Sequence, residues 1–218
     1  MDAISNLLGT LLHIIYNLVN NYGIAIILFT VVVRLALLPL TFKQTKSMKE
    51  MQVIQPKIKE IQEKYKNNKE VLNQKVMEVY QKHNVNPMAG CLPLLVQFPI
   101  LIGLFRALRD PAKYVFGSPE VYASINSNFL WLENLSDPDL WILPILAAIT
   151  TYLSSKMMQP KLKKGQKQDQ TQMMMLYFFP LMMLVWGRSF PAGLTLYWVV
   201  GNLFQMTQQF FIGRPAKN

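Results

Sequence analysis

A single arginine, Arg34, lies near the middle of an apolar stretch, residues 22–42, that is long enough to cross a membrane. Thirteen residues of this stretch are Leu, Ile, Val or Phe, and together they favour membrane insertion by about 4–8 kcal/mol. A central arginine costs about 2.5–3.5 kcal/mol on the same kind of scale. The stretch is therefore predicted to insert while carrying a positive charge.

The counter-charge of Arg34 is not evident in the sequence. None of the twelve acidic residues lies inside an apolar run, and an unpaired buried charge is costly. We therefore expect Arg34 to face water, polar side chains, or an anion that arrives and leaves. The alternative is structural, because Pro39 frees the carbonyl of Leu35 as a possible partner for the guanidinium. A polar cavity within the membrane is the preferred interpretation.

Polar residues at helical spacing supply further candidates for lining this cavity. Four lie on one helical face of the last apolar segment: Trp198, Asn202, Gln205 and Gln209. Thr30 precedes Arg34 by one turn, and Gln97 is the strongly polar residue in the middle of the second apolar segment. The residues predicted to form the groove are Arg34, Thr30, Gln97, Trp198, Asn202 and Gln205. The alternative is that these amides hydrogen-bond neighbouring helices, which Asn, Gln and Thr often do in membranes.

Catalytic arrangements are missing from the apolar segments. They contain no aspartate pair, no Ser/His pair and no His-Glu-x-x-His zinc motif. Cys91 is the only cysteine in the chain, which excludes an internal disulfide and a thiolate metal cluster. We therefore predict a protein that is not an enzyme and has no catalytic residues, metal site or cofactor.

The composition predicts an all-α polytopic membrane protein. Hydrophobic residues make up 51% of the chain and charged residues 16%, which is typical of membrane proteins. Five transmembrane helices are predicted within a single domain of residues 1–218, at 22–42, 88–108, 140–158, 173–187 and 194–212.

Two further helical regions flank the first predicted span. Residues 2–20 place apolar residues at helical spacing and predict an amphipathic helix in the outer interface, with His13 on its wetted face. Residues 43–86 contain two apolar seams separated by Asn67 and Asn68, which predict a cytoplasmic helical hairpin. A break or restart of the first hairpin helix is expected at Pro56.

The distribution of lysines predicts the orientation in the membrane. Residues 43–87 contain ten lysines and five glutamates, residues 156–167 contain five lysines, and the first 33 residues contain no Lys or Arg. Because cytoplasmic loops are rich in Lys and Arg, we expect the N-terminus outside and the C-terminus inside. The lysines also suit anionic lipid headgroups or ribosomal RNA.

Ten of the thirteen methionines lie near the predicted inner side. This bias favours an adaptable surface for varied apolar segments, although single methionines often only fill gaps.

The chain resembles the YidC/Oxa/Alb family of membrane protein insertases, and it is similar to the Gram-positive bacterial form. The resemblance rests on TVVVRLALLPLT at 30–41, QPKIKEIQEKYK at 55–66, NPMAGCLPLLVQFPILIGLF at 86–105, FLWLENLSDPD at 129–139 and FPAGLTLYWVVGNLFQ at 190–205. It implies a five-helix core in the bacterial plasma membrane, with a hydrophilic groove open to the cytoplasm and to lipid but closed outward. Such forms are made as lipoproteins, so a lipidated cysteine is expected before residue 1.

The resemblance also implies roles for individual residues. Arg34 corresponds to the groove arginine of the family, with Thr30 and Gln97 near it and Trp198 at an aromatic position that contacts substrate. The expected partners are nascent membrane proteins with short acidic or polar outer tails, together with membrane lipids. A Sec translocon and the ribosome are left open as further partners, and no small-molecule substrate is expected. The alternatives are a small-molecule or lipid transporter or channel that uses Arg34 as an anion-selective charge, and a structural assembly subunit.

Overall fold

The computed structural model describes residues 2–83, 85–86, 92–159 and 173–212. These residues are mostly helical, in agreement with the predicted all-α class, and they include two isolated β-bridges outside the helices. The α-helices are α1 Asp2–Val19, α2 Tyr22–Ala36, α3 Leu38–Lys64, α4 Lys69–Lys82, α5 Leu92–Arg109, α6 Pro111–Tyr114, α7 Pro119–Ser124, α8 Ile142–Met158, α9 Phe179–Trp186 and α10 Ala192–Ile212. The described residues within 1–35 and 99–218 form one compact unit, and those within 36–98 form another.

The first predicted span is two helices instead of one. α2 ends at Ala36 and α3 begins at Leu38, so the expectation of a continuous helix over 22–42 is corrected. Pro39 lies in the first turn of α3, where a backbone N–H would have no partner within the helix, so proline is tolerated there. In an unbroken helix the proline ring would clash with the carbonyl of Leu35.

The helix α1 packs inward on a side that combines small and apolar residues. Its buried residues are Ser5, Gly9, Leu12 and Ile15, whereas Leu7 and Leu18 are 70% and 78% exposed. A side chain at Gly9 would overlap the carbonyl oxygen of Tyr114, so the absence of a Cβ atom permits this close packing.

The expectation that His13 lies on a wetted face is wrong. His13 is half-buried, and its Nδ1 lies 2.7 Å from the carbonyl oxygen of Val115. Its ring also packs against that of Phe116, with 5.5 Å between the centroids. His13 therefore anchors α1 to the segment after α6.

The unit of residues 36–98 is organised by α3 and α4. Their shared core consists of Ile54, Ile58 and Val85, with Met51, Val76, Val79 and Tyr80 packed against it. Asn68 caps α4, because its side chain accepts a hydrogen bond from the N–H of Val71 at 3.2 Å. Pro56 lies inside α3 without ending it, which corrects the expected break. The cytoplasmic location of this helix pair stays a prediction.

The unit of residues 1–35 and 99–218 contains a three-helix contact between α8, α9 and α10. Ala147, Met183 and Val199 form its buried centre. A π-helical turn, Met174–Phe178, precedes α9, and Pro180 follows in the first turn of that helix. The wider turn gives room to a proline ring that would press on the carbonyl four residues earlier in a regular α-helix.

Length and mean hydropathy identify few complete spans among the described helices. By these criteria α1 is long and apolar enough to cross a membrane, and α2 with the first part of α3 qualifies only if the broken pair is one span. The helix α8 and residues 174–189 are shorter apolar helices. The number of five spans therefore stays a prediction.

Candidate functional site

The helices α2 and α10 lie side by side and run in the same direction. Successive contacts along both helices are Ile26 with Gly193, Phe29 with Tyr197, and Arg34 with Gly201. Tyr197 and Phe29 are fully buried, with 6.4 Å between their ring centroids. This packing carries the charged side chain of α2 onto the middle of α10.

The guanidinium of Arg34 rests against the backbone of Gly201. A Cβ atom at position 201 would lie 2.6 Å from Nη2 and 3.1 Å from Nε of Arg34. The arginine is half-buried, and its Nε is buried without a hydrogen-bond partner. The ion pairs seen within the described part of the chain, such as Lys75 with Glu78 and Arg106 with Asp2, do not involve Arg34.

Thr30 lies one turn before Arg34, as predicted from the helical spacing, but it does not open into a cavity. It is fully buried, and its hydroxyl donates to the carbonyl of Ile26 at 2.7 Å. The hydroxyl is therefore engaged within its own helix.

Trp198 and Asn202 hydrogen-bond to two threonines of α8. The indole Nε1 of Trp198 donates to the hydroxyl of Thr151 at 2.9 Å. The amide Nδ2 of Asn202 donates to the hydroxyls of Thr150 at 3.1 Å and Thr151 at 2.9 Å. With the amide turned over, its oxygen accepts from both hydroxyls at the same distances and from the Thr151 N–H at 3.2 Å. The turned-over orientation satisfies the amide better, because its oxygen then also accepts from the indole Nε1 of Trp198 at 3.3 Å.

Gln205 also reaches α8, where its Nε2 donates to the sulfur of Met158 at 2.9 Å. The three predicted site residues of α10, Trp198, Asn202 and Gln205, are thus brought together along α8. This is the interhelical bonding that the sequence left open as the alternative. Arg34 meets α10 on the neighbouring face, at Gly201.

Gln97 belongs to the described residues of the other compact unit. It is half-buried in α5. Its predicted place beside Arg34 stays a prediction.

Sequence reasoning missed three residues that build these contacts. They are Thr150 and Thr151, which are buried on α8, and Gly201 on α10. A signal for the two threonines was present, since hydroxyl residues interrupt an otherwise apolar segment. For Gly201 the sequence contains no comparable signal, because a helical glycine has several possible causes.

The chemistry available at this site is anion binding by Arg34. A guanidinium presents several N–H donors in one plane and binds carboxylates particularly well. Among the described residues, no group of three or more His, Cys, Asp or Glu side chains is arranged to hold a metal ion.

Residues 14–218 match the model of the 60Kd inner membrane protein family. The chain belongs to this family. A relative from Fusobacterium nucleatum, membrane protein insertase YidC, is 42% identical over 220 residues, which cover 97% of this chain and 98% of that protein. YidC 2 of Listeria innocua is 45% identical over 205 residues, covering 91% of this chain and 66% of that protein. YidC of Clostridium perfringens is 46% identical over 202 residues, with coverages of 91% and 81%.

A solved structure of an active YidC insertase, with its first transmembrane domain resolved, has a similar fold. The TM-score is 0.68 at 28% sequence identity, and the match covers 96% of this chain and 46% of that chain. The present chain therefore spans about half the length of the solved one. The predicted resemblance to the insertase family is confirmed, and membership of the 60Kd inner membrane protein family makes the chain a helical protein of the bacterial plasma membrane.

Proposed function

We propose that this protein is a membrane protein insertase that accepts transmembrane segments of nascent proteins in a groove beside Arg34 and releases them into the bilayer. The relatives from Fusobacterium, Listeria and Clostridium are all named as insertases. The observation that supports the proposed mechanism is the environment of Arg34: it is half-buried, has no carboxylate partner among the described residues, and has an unpartnered Nε. None of the relatives named above supports the alternative of a transporter or channel.

Arg34 attracts the short acidic outer tail of a substrate. A carboxylate at 4 Å from a guanidinium gains about 1 kcal/mol in bulk water but about 4 kcal/mol at an effective dielectric constant of 20. The half-buried position therefore turns a weak surface attraction into one well above thermal energy. Because the apolar segment that follows favours lipid, its partitioning drives release, and nucleotide hydrolysis is not required.

Trp198, Asn202 and Gln205 take part in this proposal only by exchanging partners. Their donors are bound to α8, so a passing substrate must replace these contacts with its own polar groups. The hydroxyl of Thr30 is engaged with the carbonyl of Ile26, so it too would have to exchange partners. A net exchange of one hydrogen bond for another costs little.

The proposed orientation has five spans, with the N-terminus outside and the α3–α4 pair in the cytoplasm, because the lysine-rich segments are then inside. In this orientation the ten lysines of residues 43–87 also face anionic headgroups. A Sec translocon and the ribosome are compatible partners.

The test compares Arg34→Ala and Arg34→Lys in proteoliposomes, using one substrate with an acidic outer tail and a matched substrate whose acids are replaced by amides. We expect Arg34→Ala to reduce insertion of the acidic substrate about tenfold or more, the equivalent of about 1.4 kcal/mol. Arg34→Lys should retain most activity, because the charge is kept. The amide substrate should insert equally well with all three proteins.

Arg106 provides the matched control. It is exposed and pairs with Asp2 at 3.1 Å, so Arg106→Ala removes the same charge without changing the site. Equal insertion of the acidic substrate by wild type and Arg34→Ala would refute the electrostatic step.

A further inference from the structure

The contact between Arg34 and Gly201 is closer than any side chain at position 201 would allow. A Cβ atom there would approach Nη2 to 2.6 Å, Nε to 3.1 Å and Cζ to 3.2 Å. Carbon and nitrogen atoms at the first of these distances overlap, so the guanidinium occupies the volume of the missing side chain. The position of the charge therefore depends on a glycine.

The backbone of α10 does not itself require glycine at this position. Gly201 lies in the interior of a regular helix, and among the described glycines only Gly117 has a positive φ. A glycine inside a helix is less favourable than alanine, because it loses more conformational freedom on folding. Helix formation alone thus disfavours Gly201, and the close approach of Arg34 supplies a reason for its presence.

We infer that Gly201 is a positioning residue for substrate recognition: it leaves a gap in α10 in which the Arg34 guanidinium lies, and this sets where a substrate carboxylate binds. The inference rests on the proposed function. With a methyl group in the gap, the guanidinium must swing away, because it is the flexible end of its side chain. The carboxylate then meets the charge at a different distance and in a different environment, and the attraction changes accordingly.

The test is a double-mutant cycle between positions 34 and 201, with the acidic substrate and its amide counterpart. We expect Gly201→Ala to lower insertion of the acidic substrate by about threefold to tenfold, a smaller loss than removal of the charge. Insertion of the amide substrate should be unchanged. In the Arg34→Ala background, Gly201→Ala should have no further effect. In the Arg34→Lys background, Gly201→Ala should lower insertion of the acidic substrate less than it does with arginine present. Lysine lacks the guanidinium atoms that fill the gap.

A second measurement covers the case in which Gly201→Ala does not fold. The double variant with Arg34→Ala removes the overlap, so recovery of a folded protein in that background supports the steric contact. Leu203→Ala is the control, because Leu203 is 47% exposed on the same helix.

Three outcomes would overturn the inference. If Gly201→Ala lowers insertion of both substrates equally, the glycine serves helix packing alone. If Arg34→Ala impairs the acidic substrate while Gly201→Ala does not, the positioning role is refuted and the proposed function stands. If Arg34→Ala has no effect, the proposed function fails, and this inference fails with it.

Discussion

The two neighbouring faces of α10 use polar groups in opposite ways. On the face toward α8, Trp198 and Asn202 hydrogen-bond to threonine hydroxyls at 2.9–3.1 Å, and Asn202 is only 7% exposed. On the face toward α2, the guanidinium of Arg34 lies on Gly201, and its Nε has no partner. We call the first the saturated face and the second the open face.

The difference between the faces separates structural from functional polarity. A buried polar network with every group satisfied holds helices together and fixes their packing. A half-buried charge without a partner contributes no such stability, and it persists only where another gain compensates for its cost. Stability should therefore depend on the saturated face, whereas substrate recognition should depend on the open face.

The largest contrast is expected from one substitution on each face. Asn202→Leu leaves two buried threonine hydroxyls and an indole N–H with fewer partners, so we expect the free energy of unfolding to fall by about 1–3 kcal/mol. Arg34→Met removes an unpaired charge and should leave the free energy of unfolding unchanged or slightly higher. Denaturant unfolding in detergent micelles measures both. A loss of stability in Arg34→Met equal to that in Asn202→Leu would erase the distinction between the faces.

A smaller effect should separate the two threonines of α8. The hydroxyl of Thr151 hydrogen-bonds both Trp198 and Asn202, so Thr151→Val should lower the free energy of unfolding by about 0.6–1.7 kcal/mol, between the average and the maximum for such bonds in a membrane protein. Thr150→Val is the matched control and should cost less, because Thr150 bonds one side chain of α10, Asn202, whereas Thr151 bonds two. The other bond of the Thr150 hydroxyl, to the carbonyl of Leu146 at 2.8 Å, stays within α8. Unfolding in micelles gives the stability, and Trp198 fluorescence should shift in Thr151→Val alone. A larger loss of stability in Thr150→Val than in Thr151→Val would contradict this geometry.

The sequence predicted the positions of most helices, because helical spacing of apolar residues and proline and asparagine signals are local. It did not predict which side of a helix faces the protein. Leucine and isoleucine occur on both sides of α1, buried at Leu12 and Ile15 and exposed at Leu7 and Leu18, so their spacing does not identify the packed side. The packed side is set instead by the close contact of Gly9 with Tyr114. The continuation of α3 through Pro56 was missed because an exposed helix can tolerate one missing hydrogen bond.

The same limit applies to the candidate site. Spacing correctly placed Trp198, Asn202 and Gln205 on one face, but spacing along one helix does not say which neighbour that face meets. The partner threonines lie about fifty residues earlier in the chain. Arg34 stood out because a charge in an apolar segment is costly whatever its neighbours are. Its contact with Gly201 depends on the packing of two distant helices, which one sequence does not reveal.

The smallest predicted effect concerns Asp139, which fixes the start of α8 and therefore supports the saturated face. Its carboxylate accepts from the N–H groups of Trp141 at 3.0 Å and Leu143 at 2.9 Å. The indole of Trp131 also donates to it, at 3.0 Å. Burial raises the pKa of this carboxyl, but the hydrogen bonds outweigh burial, so the pKa lies below the ordinary value of 3.8.

Loss of this cap in Asp139→Ala should lower the free energy of unfolding by about 1 kcal/mol or less at neutral pH. Because the pKa is lower in the folded state, the stabilisation is fully present above 3.8 and disappears as the pH falls through the folded pKa. The difference in unfolding free energy between wild type and Asp139→Ala should therefore be largest at pH 7 and shrink in acid. Asp139→Asn keeps an acceptor for the α8 N–H groups without a titrating charge, so its difference from Asp139→Ala should not change with pH. A wild-type advantage that stays constant down to strong acid would show that α8 is held by its contacts with α10 and not by its capped start.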